Sequence, residues 1–200
     1  MDARFVKSVF ALKDLPNDRL PEIAVAGKSN VGKSSLLNKI LNKRSLAKTS
    51  QTPGKTRCLN YFHVTPEKRG PFHFVDLPGY GYAKVSQSMR DEWGKLIDGY
   101  LALTDRPSGI IALFDSRREP TDVDMDWIAW LGEWGRPYVV VLTKCDKLTK
   151  NEMARAILHW TLDELKVHKP ILSSAQDGTG VDKIWQWIDD VRAGYKKAAR

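Results

Sequence analysis

Short runs of β-branched and aromatic residues alternate along the chain with segments whose apolar positions recur at helical spacing. The runs at 22–26, 59–64, 72–76, 110–115, 138–143 and 170–173 predict strands, and the periodic segments at 33–42, 87–103, 121–134, 151–165 and 181–199 predict helices. This alternation implies a three-layer α/β domain: a mostly parallel six-stranded sheet with helices on both faces. One connection breaks the parallel rule. Residues 65–71, with Pro66, Gly70 and Pro71, are too few for a crossover helix, so one strand should run antiparallel. No repeat, low-complexity tract or linker divides the 200 residues, which are expected to form one domain with a short N-terminal extension over residues 1–20. The loops at 44–57 and 78–86 exceed the usual connection length, which marks them as candidate functional segments.

Composition narrows the class. With 42% hydrophobic and 28% charged residues the chain can build a core. Its longest apolar runs, at 109–114 and 138–142, fall far short of the roughly 20 residues that cross a bilayer. No secretory h-region is present at the N-terminus. Cys58 and Cys145 stand in no metal-like spacing, which suits a reduced, cytoplasmic setting without membrane attachment. Charge is uneven: residues 1–70 hold 14 Lys+Arg and 5 Asp+Glu, or +9, and the remainder is close to neutral. Between Lys28 and Arg57 there are eight basic residues and no acidic one, a stretch suited to a polyanion such as nucleotide phosphates or an RNA backbone.

The chemistry concentrates in four places. Gly27-Lys28-Ser29-Asn30-Val31-Gly32-Lys33-Ser34 fits the phosphate-loop pattern in full, after a predicted strand and before a predicted helix that continues through Ser35. Gly27 and Gly32 let the backbone turn its N–H groups toward a phosphate, and the helix N-terminus adds partial positive charge. Lys33 is placed to neutralise the β- and γ-phosphates, and the Ser34 hydroxyl to hold Mg²⁺. Asp76-Leu77-Pro78-Gly79 follows the third strand, where a carboxylate reaches the metal through water and the Gly79 N–H faces the γ-phosphate. Thr143-Lys144-Cys145-Asp146 ends the fifth strand. An ionised carboxylate only accepts hydrogen bonds, and guanine presents N1–H and N2–H₂ side by side where adenine does not, so Asp146 selects guanine while the Lys144 stem lies along the ring. Ser173-Ser174-Ala175 follows the last strand and offers a backbone N–H to guanine O6. In the loop between the first two motifs, Thr52 and Thr56 are both candidates to close over the metal when a γ-phosphate is present.

These motifs, in this order on alternating strands and helices, resemble the translation-factor-related small GTPases. Asp76-Leu77-Pro78-Gly79-Tyr80-Gly81-Tyr82-Ala83, Thr52-Pro53-Gly54-Lys55-Thr56, Pro21-Glu22-Ile23-Ala24 and the threonine leading Thr143-Lys144-Cys145-Asp146 narrow the likeness to the EngB (YihA/YsxC) family of bacterial GTPases, within the TrmE-Era-EngA-EngB-septin group. The resemblance covers nearly the whole chain. It implies a GTPase that binds GTP and GDP with Mg²⁺, docks as a monomer on the large ribosomal subunit precursor and its rRNA, and is needed for normal cell division and septation. Carried across, the metal ligands are Ser34 and Thr56, with Asp76 through water, and the family pattern favours Thr56 over Thr52. Gly54, Lys55 and Thr56 join the nucleotide site, and Lys33, Thr56, Gly79 and Asn30 are its candidate catalytic residues. Thr143 departs from the asparagine usual in the wider superfamily; its shorter side chain donates once, which implies a weaker tie and modest nucleotide affinity.

Tyr80 stands where many GTPases place the glutamine that orients water, so intrinsic turnover should be slow. A partner or a monovalent cation is then expected to help, and the resemblance to related GTPases gives Asn30 the position of a K⁺ ligand. Two other readings remain open: a nucleotide-gated RNA-binding module with incidental hydrolysis, and a small-metabolite kinase, against which Asp146 argues. Lys39, Lys43, Arg44, Lys48, Lys55 and Arg57 form a candidate rRNA patch beside the nucleotide. Asp122, Asp124, Asp126 and Glu133 mimic a calcium loop, but Trp127 occupies its obligatory glycine position, so calcium is rejected. Trp127, Trp130, Trp134, Trp185 and Ile188 fall at helical spacing and are expected in the core.

Overall fold

A computed structural model describes residues 1–47, 58–67, 70–79, 95–103, 106–161 and 169–198. Seven strands form one sheet: β1 (Asp2–Val9), β2 (Glu22–Gly27), β3 (Leu59–Thr65), β4 (Phe72–Asp76), β5 (Gly109–Asp115), β6 (Tyr138–Thr143) and β7 (Ile171–Leu172). Their order is β1-β3-β4-β2-β5-β6-β7. The described helical segments are α1 (Lys33–Ile40), residues 95–101 (α2), α3 (Asp122–Glu133), α4 (Lys150–Trp160) and α5 (Val181–Ala198).

β3 pairs antiparallel with both β1 and β4, while β4, β2, β5, β6 and β7 run parallel to one another. One strand therefore opposes all the rest, as the short β3–β4 connection requires. The sheet has seven strands and not six, because the N-terminal extension supplies β1. Its alternation is interrupted by a bulge between Phe5 and Lys7. Ala3 joins the core on one face of the sheet and Val9 the core on the other. A period-two pattern that changes parity midway, on an edge strand with charged Arg4 and Lys7, leaves no regular signature in the sequence.

Successive residues of the central strands feed opposite faces. Ile23, Val25, Ile111, Leu113 and Val141 pack with Leu36, Leu37 and Ile40 of α1 and Ile184 and Ile188 of α5. Ala24, Ala26, Ile110, Ala112, Phe114 and Leu142 pack with Tyr100 of α2, Ile128 and Leu131 of α3, and Trp160 of α4. Both faces being covered explains why these strands read as continuous apolar runs. α4 starts on a capping box in which the Glu152 carboxylate accepts from the Thr149 N–H at 2.7 Å, which fixes its first turn.

The tryptophans divide otherwise than the helical spacing implies. Trp160 is fully buried, its indole N–H donating to Arg118 O at 3.0 Å. Trp127 and Trp134 are half-buried against the core, and Trp130 is exposed, stacked between them with ring centroids 5.2 and 6.1 Å away. Two large rings on a helix of 12 residues and a third on its C-cap, Trp134, cover more than one stripe, so they shelter one another at the surface. Among the described residues no helix is long and apolar enough to cross a membrane.

Candidate functional site

The carboxyl ends of β2, β4, β5, β6 and β7 open on one side of the sheet, the position where parallel α/β folds bind ligands. β2 ends at Gly27, and the chain turns through Lys28–Gly32 into α1. Gly32 is the N-cap of that helix at φ +103°, a conformation that suits glycine, and Asn30 holds φ +64°. No side chain caps α1, so the N–H groups of its first turn stay available to an anion.

Lys33, in the first helical turn, forms a short ion pair through Nζ with Asp76 Oδ1 at the end of β4; both side chains are largely buried. The Leu77 N–H donates to Val25 O at 3.0 Å, which lays the Leu77-Pro78-Gly79 turn along β2. A Cβ on Gly79 would come within 3.0 Å of Ser29 Oγ and 3.2 Å of Ser29 N, so any larger residue would press the phosphate loop aside by a few tenths of an ångström.

β6 supplies two ties to the same loop. The Thr143 hydroxyl lies 2.6 Å from Val31 O and 3.0 Å from Phe114 O, sharing one proton between two carbonyls. The weak tie expected of threonine is thus a short contact to the loop backbone. Lys144, at φ +62°, sends its ammonium across the loop to Asn30 O at 2.7 Å and Asp115 Oδ2 at 2.9 Å, its stem passing beside Gly32. Burial of Asp115 works against its ionised form, but hydrogen bonds from Arg117 and Lys144 outweigh it and hold the carboxyl well below the usual carboxylate range. Asp115 was not singled out in the sequence. The available signal was its place at the end of β5, level with Thr143 in the neighbouring strand.

Cys145 and Asp146 follow in a short 3₁₀ turn; the Cys145 N–H donates to Ser173 O at 3.2 Å, joining this turn to the one after β7. Asp146 is mostly shielded, with Lys147 Nζ 3.3 Å from its Oδ2. The Ser173 N–H donates to Leu142 O, and the Ser174 N–H to Thr179 O. Of the three residues in this turn, Ala175 alone has an N–H with no bond to another described residue. Ser174 Oγ accepts from the N–H groups of Gln176 and Asp177 at 3.1 and 3.3 Å, which fixes the turn.

Gly27–Ser35, Asp76–Gly79, Thr143–Asp146 and Ser173–Ala175 are therefore gathered at one end of the sheet. Thr52, Gly54, Lys55, Thr56, Tyr80, Gly81, Tyr82 and Ala83 lie outside the described residues, as do Lys48 and Arg57. Lys39, Lys43 and Arg44 are exposed, at the far end of α1 and in the turn beyond it. The Lys39 ammonium donates to Gln176 O at 3.4 Å, one residue past Ala175 in the turn after β7.

Residues 22–144 match the family described as 50S ribosome-binding GTPase. The "Probable GTP-binding protein EngB" of Chlorobium luteolum is 49% identical over 199 residues, covering 100% of this chain and 94% of that one. The protein of the same name from Latilactobacillus sakei is 44% identical over 190 residues, 94% of each chain. Among solved structures, a probable GTP-binding protein EngB superposes with TM-score 0.66 at 20% identity, covering 86% of this chain and 99% of the other. Era in complex with MgGDPNP and a segment of 16S ribosomal RNA superposes with TM-score 0.72 at 22% identity, covering 84% and 55%. The structural likenesses give the fold; the identities over full length, with the motifs gathered above, establish that this chain belongs to the EngB family of P-loop GTP-binding proteins and is a GTPase.

Proposed function

We propose that this GTPase is a nucleotide-dependent switch in assembly of the large ribosomal subunit, required in turn for normal division and septation, and that it acts in the cytoplasm as a monomer. Support comes from the 50S ribosome-binding description of its family, from the ribosomal RNA held by Era, and from the basic surplus of its first 70 residues.

N–H groups of the phosphate loop and the α1 N-terminus bind the α- and β-phosphates. Lys33, paired with Asp76 at the start of α1, offers its ammonium to the β/γ-bridging region as charge spreads there. Gly79 donates its N–H to the γ-phosphate from its seat on Ser29. Ser34 and Asp76 offer hydroxyl and carboxylate oxygens, a hard donor set that fits Mg²⁺; Ser34 and Thr56 would hold the metal directly and Asp76 through water. When bound, the metal neutralises the γ-phosphoryl oxygens. At the other end, Asp146 accepts from guanine N1–H and N2–H₂, Lys144 lies along the ring, and Ala175 donates to O6.

No glutamine follows Gly79, so intrinsic turnover is slow, and Asn30 supplies an oxygen for K⁺ beside the phosphates. Turnover in KCl above that in NaCl at equal ionic strength checks this, and equal rates reject it. The guanine reading rests on the shielded Asp146, in a turn that the Cys145 N–H ties to Ser173 O, two residues ahead of the Ala175 N–H. Asp146→Asn should lower GTP affinity by on the order of 10³-fold and shift preference to the xanthine nucleotide, because an amide donates where the carboxylate accepted. Undiminished preference for guanine in competition binding would refute it.

A further inference from the structure

The phosphate loop is also held from behind, and one of those ties comes from a helix outside the nucleotide motifs. The Lys28 ammonium donates to Thr121 Oγ1 at 2.9 Å and lies 2.9 Å from Asp124 Oδ1. The other carboxylate oxygen of Asp124 accepts from the Thr121 N–H at 3.1 Å and its hydroxyl at 2.7 Å, at the start of α3. The Asp124 side chain is only 7% exposed. A carboxylate so buried needs a charge partner, and the structure gives it Lys28.

A cavity of about 350 Å³ is bordered by Lys28, Ser29, Asn30, Asp115, Thr121 and Asp124. Val31 of the loop packs into the core, and the loop is held besides by polar ties. Two of these, Thr143 to Val31 O and Lys144 to Asn30 O, come from β6 and the residue after it. The third joins Lys28 to α3. Ser29, the next residue, is the surface on which Gly79 sits.

We infer that Asp124 is a positioning residue for GTP: through Lys28 it sets the place of Ser29, and thereby the seat of Gly79 beside the terminal phosphate. This deepens the proposed function and rests on it. GDP lacks the phosphate that Gly79 meets, so the tether acts mainly on the triphosphate. The competing role for Lys28, direct contact with phosphate, predicts the opposite sign. Removing the Asp124 charge frees the ammonium, which would then tighten triphosphate binding.

The test measures binding of mant-GTPγS and mant-GDP to the full chain by fluorescence. Asp124→Asn keeps a carbonyl oxygen for the Thr121 N–H and replaces the oxygen that faces Lys28 with an uncharged amide NH₂. It should raise the Kd for mant-GTPγS about tenfold and that for mant-GDP less than about threefold, with thermal stability nearly unchanged. Lys28→Met should show the same selective loss, and the double variant should be no weaker than either single one. Tighter or unchanged mant-GTPγS binding in Asp124→Asn, equal losses for both nucleotides, or additive losses would overturn the inference. Should Asp124→Asn not fold, Lys28→Arg and Lys28→Met decide. Arginine keeps the tie and the ratio of the two affinities while methionine loses it, and equal ratios overturn the tether. A wild-type chain that binds neither probe would sink the GTP site itself, which is a separate outcome.

Discussion

At the carboxyl ends of the strands, Asp115 lies between Arg117 and Lys144 and Asp76 faces Lys33; at the opposite end, Glu22 is buried beneath a different set of partners. Tyr100 donates to Glu22 Oε2 at 2.6 Å and Tyr61 to the same oxygen at 3.2 Å, while Arg106 reaches Oε1 at 3.0 Å. Burial raises the Glu22 pKa above its ordinary value, the hydroxyls and Arg106 only partly opposing it. Burial and the adjacent carboxylate push both tyrosines up, so they remain donors. Asp115 moves the other way, since cationic donors outweigh its burial. The contrast is between charges arranged to meet an anion and a charge enclosed to join elements. Glu22 opens β2, the strand that ends in the phosphate loop, and binds it to Tyr61 of β3, Tyr100 of α2 and Arg106 ahead of β5.

Removing a charge at each end should separate the two roles. Lys33→Met is expected to lower GTP turnover by on the order of 10³-fold, with a much smaller change in melting temperature, read by phosphate release and calorimetry. Glu22→Ala should do the reverse. Three buried donors lose their acceptor, a loss of about 3–4 kcal/mol. The melting temperature should then fall by on the order of 10 °C, while nucleotide affinity changes little. A Glu22→Ala chain that melts with the wild type, or loses nucleotide before it loses stability, would erase the distinction.

The smallest effect is the dependence of stability on pH. Glu22 has a raised folded pKa, so it binds its proton more tightly folded than unfolded. Its contribution is full below its ordinary value of 4.5 and fades as pH rises through the folded value. Asp115 has a lowered folded pKa, so its contribution is present above its ordinary value of 3.8 and is lost as pH falls below that. Glu22→Gln removes only the first dependence. The stability difference between wild type and Glu22→Gln should change across pH 4.5 to 8 by no more than about 1.4 kcal/mol per pH unit, favouring the wild type most at the acid end. Denaturant midpoints along that series measure it, and a constant difference would mean that Glu22 does not titrate differently on folding.

The motifs were legible because each is local. Eight consecutive residues carry the geometry of the phosphate loop, and a strand followed by Asp146 or by Ser173–Ala175 needs nothing distant to be noticed. The pairings that hold these pieces were not. Lys28 and Asp124 are far apart in the chain, and the acidic spacing around Asp124 only mimics a calcium loop. Glu22 was visible as part of Pro21-Glu22-Ile23-Ala24, but nothing local to that tetrapeptide indicated Tyr61, Tyr100 or Arg106. β1 escaped because its bulge reverses the facing of Ala3 and Val9, and Trp130 because a helical stripe does not say how many rings a face can bury.

The order and spacing of residues thus determined the layered α/β fold, the antiparallel β3 and the motifs that gather at one end of the sheet, since periodicity and turn chemistry act between near neighbours. Tertiary structure decided which of those groups are tied together, which carboxylate is held ionised by cations and which is enclosed by tyrosines, and where the seventh strand joins. Those outcomes depend on burial and on partners brought close only by folding, and a linear pattern does not record either.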